Sequence, residues 1–216
     1  MYIPSHFVEK RPDELQRIIH DNPLGILVHS SQGNLDADHI PFAFDPAQGS
    51  CGVLTAHIAR ANPLWRQCPT GTPVMVIFRG IQAYISPNGY PGKPETHRYV
   101  PTWNYEVVHA HGILTIHDDE RFVRRVVAHL TRRHESSETK PWKMGDAPAD
   151  FLDEQLRQII GLEITLTSIT GKVKISQNRT ERDRQGAADH LEAQGKTEMA
   201  MAMRSVDTHN KKQTMS

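Results

Sequence analysis

The pattern of apolar and polar positions predicts a chain built largely from short strands. Leu162, Ile164 and Leu166 alternate with polar residues, which is typical of a strand with one buried face. The continuous apolar run at 74–78 indicates a strand buried on both faces. Residues 102–117 predict one long strand. Further strands are predicted at 24–29, 35–44, 51–57 and 82–86.

Amphipathic segments predict helices at the beginning, after the long strand and near the end of the chain. Phe122, Val126 and Leu130 recur at i, i+4 and i+8 after an acidic start, which indicates a helix with one buried face. Other helices are predicted from Pro12, at 148–160 and at 180–194. Because helices do not alternate with strands as they do in a parallel sheet, we expect a mainly β fold with flanking helices (α+β), in which an antiparallel sheet forms a small barrel.

The 216 residues favour a single domain over residues 1–205 with peripheral helices. The end of the chain from Met199 is expected to be loosely held, and 206–216 to be a flexible C-terminal tail. The apolar run at 74–78 also predicts a homodimer, since a small barrel covers only the inner face of such a strand with its own side chains.

The charge balance limits which partners the protein can have. Lys and Arg number 25 and Asp and Glu number 25, so a protein surface that binds DNA or an anionic membrane as a whole is not expected. A nucleic-acid contact would be a local patch, and the best candidate is Arg121, Arg125 and Arg132 on one face of the predicted helix. A solvated face opposite the apolar stripe explains the same arginines.

Cellular location follows from what the sequence contains and lacks. No apolar stretch reaches the roughly 20 residues of a membrane span, and the start resembles no signal peptide. Cys51 and Cys68 are the two cysteines, which favours reduced thiols in the cytoplasm over a disulfide framework.

Candidate binding residues follow the ends of the predicted strands. Pro41 on a strand requires an unpaired edge, and the broken alternation near His39 predicts a bulge. Arg60 and Asn62 precede a predicted helix start, where backbone N–H groups favour a phosphate. A capping asparagine and a solvated arginine explain the same pair without a ligand, and by itself the pair favours that simpler explanation.

Two other clusters leave alternatives open. The sequence Trp103-Asn104-Tyr105 is either a stacking platform for a planar ring or an aromatic pair that packs on the barrel. His109 and His111 would share one strand face, but no third metal ligand is obvious nearby, so we predict no metal site.

Together these segments resemble the PaiB-type FMN-binding negative transcriptional regulators. The most specific segment is Pro101-Thr-Trp-Asn-Tyr105, followed by Val108-His109. The other matching segments are Tyr2-Ile-Pro-Ser-His-Phe7, His39-Ile-Pro-Phe42, His57-Ile-Ala-Arg-Ala-Asn-Pro63, Tyr84-Ile-Ser-Pro87 and Lys174-Ile-Ser-Gln-Asn178. The resemblance implies a six-stranded antiparallel split β-barrel of the FMN-binding type and a homodimer that holds FMN at its interface.

The resemblance also implies which residues contact FMN. The isoalloxazine is expected to lie against the backbone of Asp38, His39, Ile40 and Pro41. The phosphate is expected near Thr55, His57, Arg60 and Asn62. Further contacts are expected from Trp103 and Asn104, contributed by the partner subunit, and from Ser176 and Gln177.

Two functions compete on this basis. The first is a cytoplasmic transcriptional repressor, although the sequence contains no helix-turn-helix, zinc finger or basic N-terminal arm. The alternative is an FMN-dependent oxidoreductase of the pyridoxamine-phosphate oxidase or flavin reductase class. In such an enzyme the flavin carries the electron chemistry, so no side chain with an obvious catalytic role is needed.

Overall fold

The computed structural model describes residues 1–31 and 33–213, with the side chains of 1–31 and 33–206. The strands are β1 (Val8–Glu9), β2 (Leu24–Ser31), β3 (Asn34–Pro41), β4 (Ala43–Asp45), β5 (Val53–Ala59), β6 (Pro73–Ile85), β7 (Thr102–His117) and β8 (Ile159–Lys174). The helices are α1 (Pro12–Asp21), α2 (Leu64–Gln67), α3 (Lys93–Thr96), α4 (Glu120–His134), α5 (Ala149–Arg157), α6 (Glu181–Glu192) and α7 (Thr197–Gln213).

These strands form one sheet in the order β3-β2-β6-β7-β8-β5-β4, and β1 also pairs with β8. The pairs β1–β8, β2–β3, β2–β6, β4–β5 and β5–β8 are all antiparallel. The prediction of a mainly antiparallel sheet with flanking helices is confirmed. The expected six-stranded split barrel is not confirmed, because the described sheet has eight strands and its end strands β3 and β4 are not paired with each other. Strands as short as β1 and β4 are too brief to show a period of two, so the sequence pattern did not reveal β1 as a strand.

The described chain divides into two compact units. The first unit comprises Pro12–Phe78 and Val108–Ile169, and the second comprises Met1–Arg11, Arg79–Val107 and the described residues from Thr170 onward. Three of the four boundaries fall within β6, β7 and β8, and the fourth lies just before α1. A single domain over residues 1–205 stays a prediction.

In the first unit, α4 packs its apolar stripe onto the sheet. Phe122, Val126 and Leu130 form a buried cluster with Ala43 of β4. The Asp119 side chain caps the helix by accepting a hydrogen bond from the backbone N–H of Phe122, at 2.8 Å. The helix expected after the acidic segment is therefore confirmed.

In the second unit the helix predicted at 180–194 is confirmed as α6, and it packs against a further helix, α7, that the sequence pattern did not reveal. In α7, Met199, Ala200 and Met203 are buried. The Arg184 Nε of α6 donates a hydrogen bond to the Met203 carbonyl at 3.0 Å, and Arg204 pairs with carboxylates of α6. The expectation that the chain is loosely held from Met199 is therefore wrong for these residues. Because α7 reaches Gln213 while 214–216 lie outside the described residues, the flexible tail at 206–216 stays a prediction.

Candidate functional site

The predicted site residues lie in both compact units, and each group is described by itself. The first unit contains Asp38, His39, Ile40, Pro41, Thr55, His57, Arg60 and Asn62. The second unit contains Trp103, Asn104, Ser176 and Gln177.

Strand β3 lies at one end of the sheet order, as Pro41 required. Its outer edge therefore carries backbone N–H and C=O groups that no other described strand pairs. The predicted bulge is wrong, since β3 pairs with β2 without interruption and His39 lies opposite Ile26. Leu35 is 79% exposed, so the apolar residue that broke the apparent alternation belongs to the outer face.

A chain of hydrogen bonds fixes the Asp38 carboxylate. Asn62 Nδ2 donates to Asp38 Oδ1 at 2.7 Å, and His29 Nε2 lies 3.2 Å from Asp38 Oδ2. The other His29 ring nitrogen lies 3.3 Å from the Cys68 sulfur. Burial raises the pKa of the Cys68 thiol, and the charge of Asp38 adds to this rise. Cys68 therefore stays a neutral thiol that helps to position His29, and is not a nucleophile.

His29 and Cys68 were missed by the sequence reasoning. They lie 39 residues apart and share no motif spacing. The one signal in the sequence was a polar residue, His29, at the end of an apolar run. In the structure His29 continues the alternating set of buried positions in β2. Pairing of β2 with β3 brings His29 close to Asp38.

Asn62 and Arg60 both have partners within the first unit. Asn62 Oδ1 accepts a hydrogen bond from the backbone N–H of Leu64 at 2.8 Å, which caps the four-residue helix α2. Arg60 binds Asp118 through Nη1 and Nη2, at 2.9 and 2.5 Å, and donates from Nε to the Arg157 carbonyl at 2.7 Å. This pairing raises the pKa of Arg60 and lowers the pKa of Asp118. Three of the five guanidinium N–H donors are used, so two are available for a ligand.

Thr55 and His57 lie on one face of β5, opposite Glu163 and Gly161 of β8. The Nδ1 atom of His57 is buried without a hydrogen-bond partner among the described residues. Burial lowers the pKa of His57, because the charged imidazolium loses solvation. His57 is thus a neutral imidazole with a nitrogen that a ligand group can still satisfy.

The second unit also contains a buried side-chain atom without a hydrogen-bond partner among the described residues, in Asn104. Asn104 is fully buried, and its Nδ2 donates to Ser176 Oγ at 2.9 Å. Its Oδ1 has no hydrogen-bond partner among the described residues. Ser176 adopts a left-handed backbone with φ 63°, a strained conformation for a residue with a side chain. This strain at a buried polar pair is typical of a ligand-contact site.

Gln177 and Trp103 differ in what they can offer a ligand. The Gln177 amide accepts from the Ile175 N–H at 2.8 Å and donates to the Val173 carbonyl at 2.6 Å, so it stabilises the turn after β8. Trp103 is 54% exposed and contacts the Tyr84 ring edge-on, with 6.0 Å between centroids. Its exposed face is compatible with stacking on a planar ring.

The arginine face of α4 is exposed at Arg121, Arg125 and Arg132. Arg125 lies over the Phe122 ring, 5.1 Å from its centroid, and Arg132 donates to a backbone carbonyl of its own helix. Within the described side chains, none of the three forms an ion pair. They therefore present uncompensated positive charge to solvent.

The described residues contain neither a cluster suited to a metal ion nor a helix suited to a membrane. No group of three or more His, Cys, Asp or Glu side chains in the described part of the chain is arranged to hold a metal ion. Over the same residues, no helix combines the length and apolar character that crossing a membrane requires.

Comparison with known proteins identifies relatives over most of the chain. The model of a family described as "Putative FMN-binding domain" matches residues 1–168. "Protease synthase and sporulation protein PAI 2" of Bacillus subtilis is 30% identical, covering 89% of each chain. An uncharacterized protein of Emericella nidulans is 33% identical, covering 90% of this chain and 92% of the relative.

A similar fold is found among solved structures. The flavocytochrome Anf3 of Azotobacter vinelandii superposes with a TM-score of 0.58 at 10% identity. The match covers 80% of this chain and 72% of the flavocytochrome. At this identity the likeness concerns the fold alone.

Proposed function

Because the chain belongs to this family of FMN-binding domains, and its cofactor is accordingly FMN, we propose that it acts as an FMN-dependent negative transcriptional regulator of the PaiB type. The observation that carries the proposal is the exposed face of Arg121, Arg125 and Arg132, which is free of ion pairs within the described residues although the net charge of the chain is zero. The similarity to the Bacillus protein supports the same function. The proposed fold is the FMN-binding split barrel, and the two reduced cysteines support a cytoplasmic location.

The residues present fit a flavin. In the first unit, the outer edge of β3 offers backbone donors and acceptors at Asp38–Pro41, and the buried His57 Nδ1 has no partner among the described residues. In the second unit, taken by itself, the buried Asn104 Oδ1 also has no such partner. A flavin presents both donors and acceptors, which suits these groups. When bound, FMN supplies the capacity for hydride and electron transfer. The chain positions the ligand: Asp38 is held by His29 and Asn62 and cannot swing away from its strand.

Homodimer formation is part of this proposal. On the outer face of the paired strands β2 and β6, Ile26 lies opposite Ile77 and Val28 opposite Met75. All four side chains are only half-buried, whereas their neighbours Leu27 and Val76 are fully buried. A partner subunit that covers this apolar face would complete its burial. Light scattering is expected to give twice the mass of 24.4 kDa, and a concentration-independent monomer would contradict the dimer.

DNA binding provides the test of the regulator role. Arg121, Arg125 and Arg132 are replaced together by alanine, and binding to mixed-sequence duplex DNA is titrated over a range of salt concentrations. Each lost phosphate contact is expected to reduce the salt slope by about 0.9, so the triple variant loses roughly three units per subunit. The control triple replaces three exposed arginines elsewhere, Arg66, Arg98 and Arg182, and removes the same net charge. Equal slopes in the wild type and the first variant, or an equal loss in both variants, would refute a DNA-binding face on α4.

The alternative function, an FMN-dependent oxidoreductase, is favoured by one observation. The buried, neutral imidazole of His57 provides a desolvated polar group of the kind that positions a reacting ligand. Steady-state consumption of NADH or NADPH by the FMN-loaded protein, in the absence of any DNA effect, would favour this alternative.

A further inference from the structure

Two lysines of β8 lie in the second unit with only neutral partners. Lys172 is 9% exposed, and its ammonium donates to the Tyr2 carbonyl at 3.3 Å and lies 5.1 Å from the centroid of the Tyr105 ring. The Lys174 ammonium donates to the Thr102 hydroxyl. Because residues two apart on a strand point to the same face, both ammonium groups belong to one face of β8.

No carboxylate compensates these charges within the part of the chain that the structure describes. Neither lysine has a carboxylate oxygen within 4.0 Å among these side chains. Glu9, on the strand that pairs with this part of β8, instead binds Arg11 at 2.6 Å. Arg179 adds a third positive charge close to these lysines. Burial lowers the pKa of Lys174, and the positive charges of Lys172 and Arg179 lower it further.

Burying an ammonium group without a counter-charge is costly, and proteins ordinarily pair such a group or bind a ligand to it. Cation–π contact with tyrosine recovers only part of the lost solvation. Arg179 lies over Tyr90 and Tyr99 at 5.2 and 5.6 Å from the ring centroids, so it too has aromatic contacts but no ion pair among the described side chains. The arrangement thus gathers positive charge in a half-buried aromatic environment and leaves it uncompensated.

We propose that Lys172 and Lys174, with Thr102 and Tyr105, form a binding site for an oxyanion, the phosphate or carboxylate group of a small ligand. Two ammonium groups on one strand face supply charge-assisted hydrogen bonds, and the Thr102 hydroxyl beside Lys174 adds a neutral donor. The two possible sources of the oxyanion are the phosphate of FMN itself and a separate anionic ligand, and both share this chemistry.

The test measures inorganic phosphate binding to the full-length protein, with and without FMN, as the rise in melting temperature at constant ionic strength. The double variant Lys172→Gln and Lys174→Gln is compared with a matched control, Lys140→Gln and Lys196→Gln, in which both lysines are exposed. Because phosphate stabilises many proteins without binding to a site, the difference between the two variants carries the result. We expect at least a tenfold loss of phosphate affinity in the first variant and none in the control.

Flavin titrations identify the source of the oxyanion. If Lys174→Gln weakens FMN but not riboflavin, the occupant is the FMN phosphate. If both flavins bind as in the wild type while the phosphate effect is lost, the occupant is a separate anion. Both results support the site.

Equal stabilisation by phosphate in the wild type and both double variants would overturn the proposal. Should the double variant fail to fold, phosphate titration of the wild type monitored by the NMR signals of the lysine ammonium groups decides the matter. Unshifted Lys172 and Lys174 signals would then refute the site. A wild-type protein that binds phosphate at these lysines but no flavin would refute the proposed function and leave this inference intact.

Discussion

Replacement of Arg60 by alanine separates the structural role of this arginine from its expected role as a ligand for the flavin phosphate. The Arg60 side chain is 34% exposed, and its guanidinium holds Asp118 through two hydrogen bonds and the Arg157 carbonyl through a third. A solvent-screened ion pair of this kind contributes about 0.5–1 kcal/mol. The hydrogen bond to the carbonyl contributes about 1 kcal/mol. We therefore expect Arg60→Ala to lower the free energy of unfolding by about 2 kcal/mol, which for a chain of this length corresponds to a fall in melting temperature of roughly 4–8 °C.

The effect on flavin binding has a different origin. The two N–H donors that Asp118 and Arg157 leave free can bind a phosphate oxygen. A charge-assisted hydrogen bond contributes about 1.5–3 kcal/mol, so FMN affinity is expected to fall by roughly one to two orders of magnitude. Riboflavin lacks the phosphate and is expected to bind both proteins equally. Fluorescence titration of both flavins into both proteins measures the difference.

Asp118→Asn is the matched control. It weakens the ion pair but keeps the positive charge of Arg60, so it is expected to lower the melting temperature while FMN affinity is retained. If Arg60→Ala weakens FMN and riboflavin equally, Arg60 supports the fold and the phosphate lies elsewhere. If the melting temperature does not change, the reasoning about the three hydrogen bonds is wrong.

Three other predictions concern stability and reactivity. Burial lowers the pKa of His57, so as the pH falls the imidazole is protonated in the unfolded chain before it is protonated in the folded protein. Stability is therefore expected to be lost below about pH 6.5. His57→Gln is expected to flatten that loss, as measured by urea unfolding at about pH 5.5 and 7.5. The half-buried thiol of Cys51 is expected to react with a thiol reagent in the native protein, whereas Cys68, which is fully buried and has a raised pKa, reacts only after unfolding. Gly25→Ala places a Cβ 2.7 Å from Val76 Cγ1 in a packed core and is expected to cost about 1–3 kcal/mol in chemical denaturation.

Each of these expectations has a clear contrary outcome. An unchanged acid limb in His57→Gln would mean that the imidazole is solvated. Simultaneous labelling of both thiols in the native state would contradict the burial of Cys68. Wild-type stability in Gly25→Ala would show that the core around Val76 has room for a methyl group. Gly33→Ala serves as the strained but uncrowded comparison, because its backbone has φ +82° and no described heavy atom beyond the adjacent residues would lie within 4 Å of the new Cβ.

Local signals in the sequence sufficed for several elements of the fold. The strand predicted at 102–117 is β7, and the acidic segment before Phe122 caps α4 through Asp119. The edge position of β3 followed from Pro41, because a proline beyond the first residue of a strand has no N–H to donate to a second neighbouring strand. Strand periodicity, helix capping and the missing N–H of proline each depend on residues close together in the chain, so the sequence shows them directly.

The tertiary structure alone decided which distant residues meet. The contacts of Cys68 with His29 and of Arg60 with Asp118 join residues 39 and 58 positions apart, and no local pattern encodes such a pair. Residues 73–85 form one strand where the sequence pattern suggests two. The segment from Met199 is only weakly amphipathic, and packing on α6 buries Met199, Ala200 and Met203 of the helix. Most helical stability comes from such packing and little from intrinsic propensity, which is why the sequence by itself does not determine it.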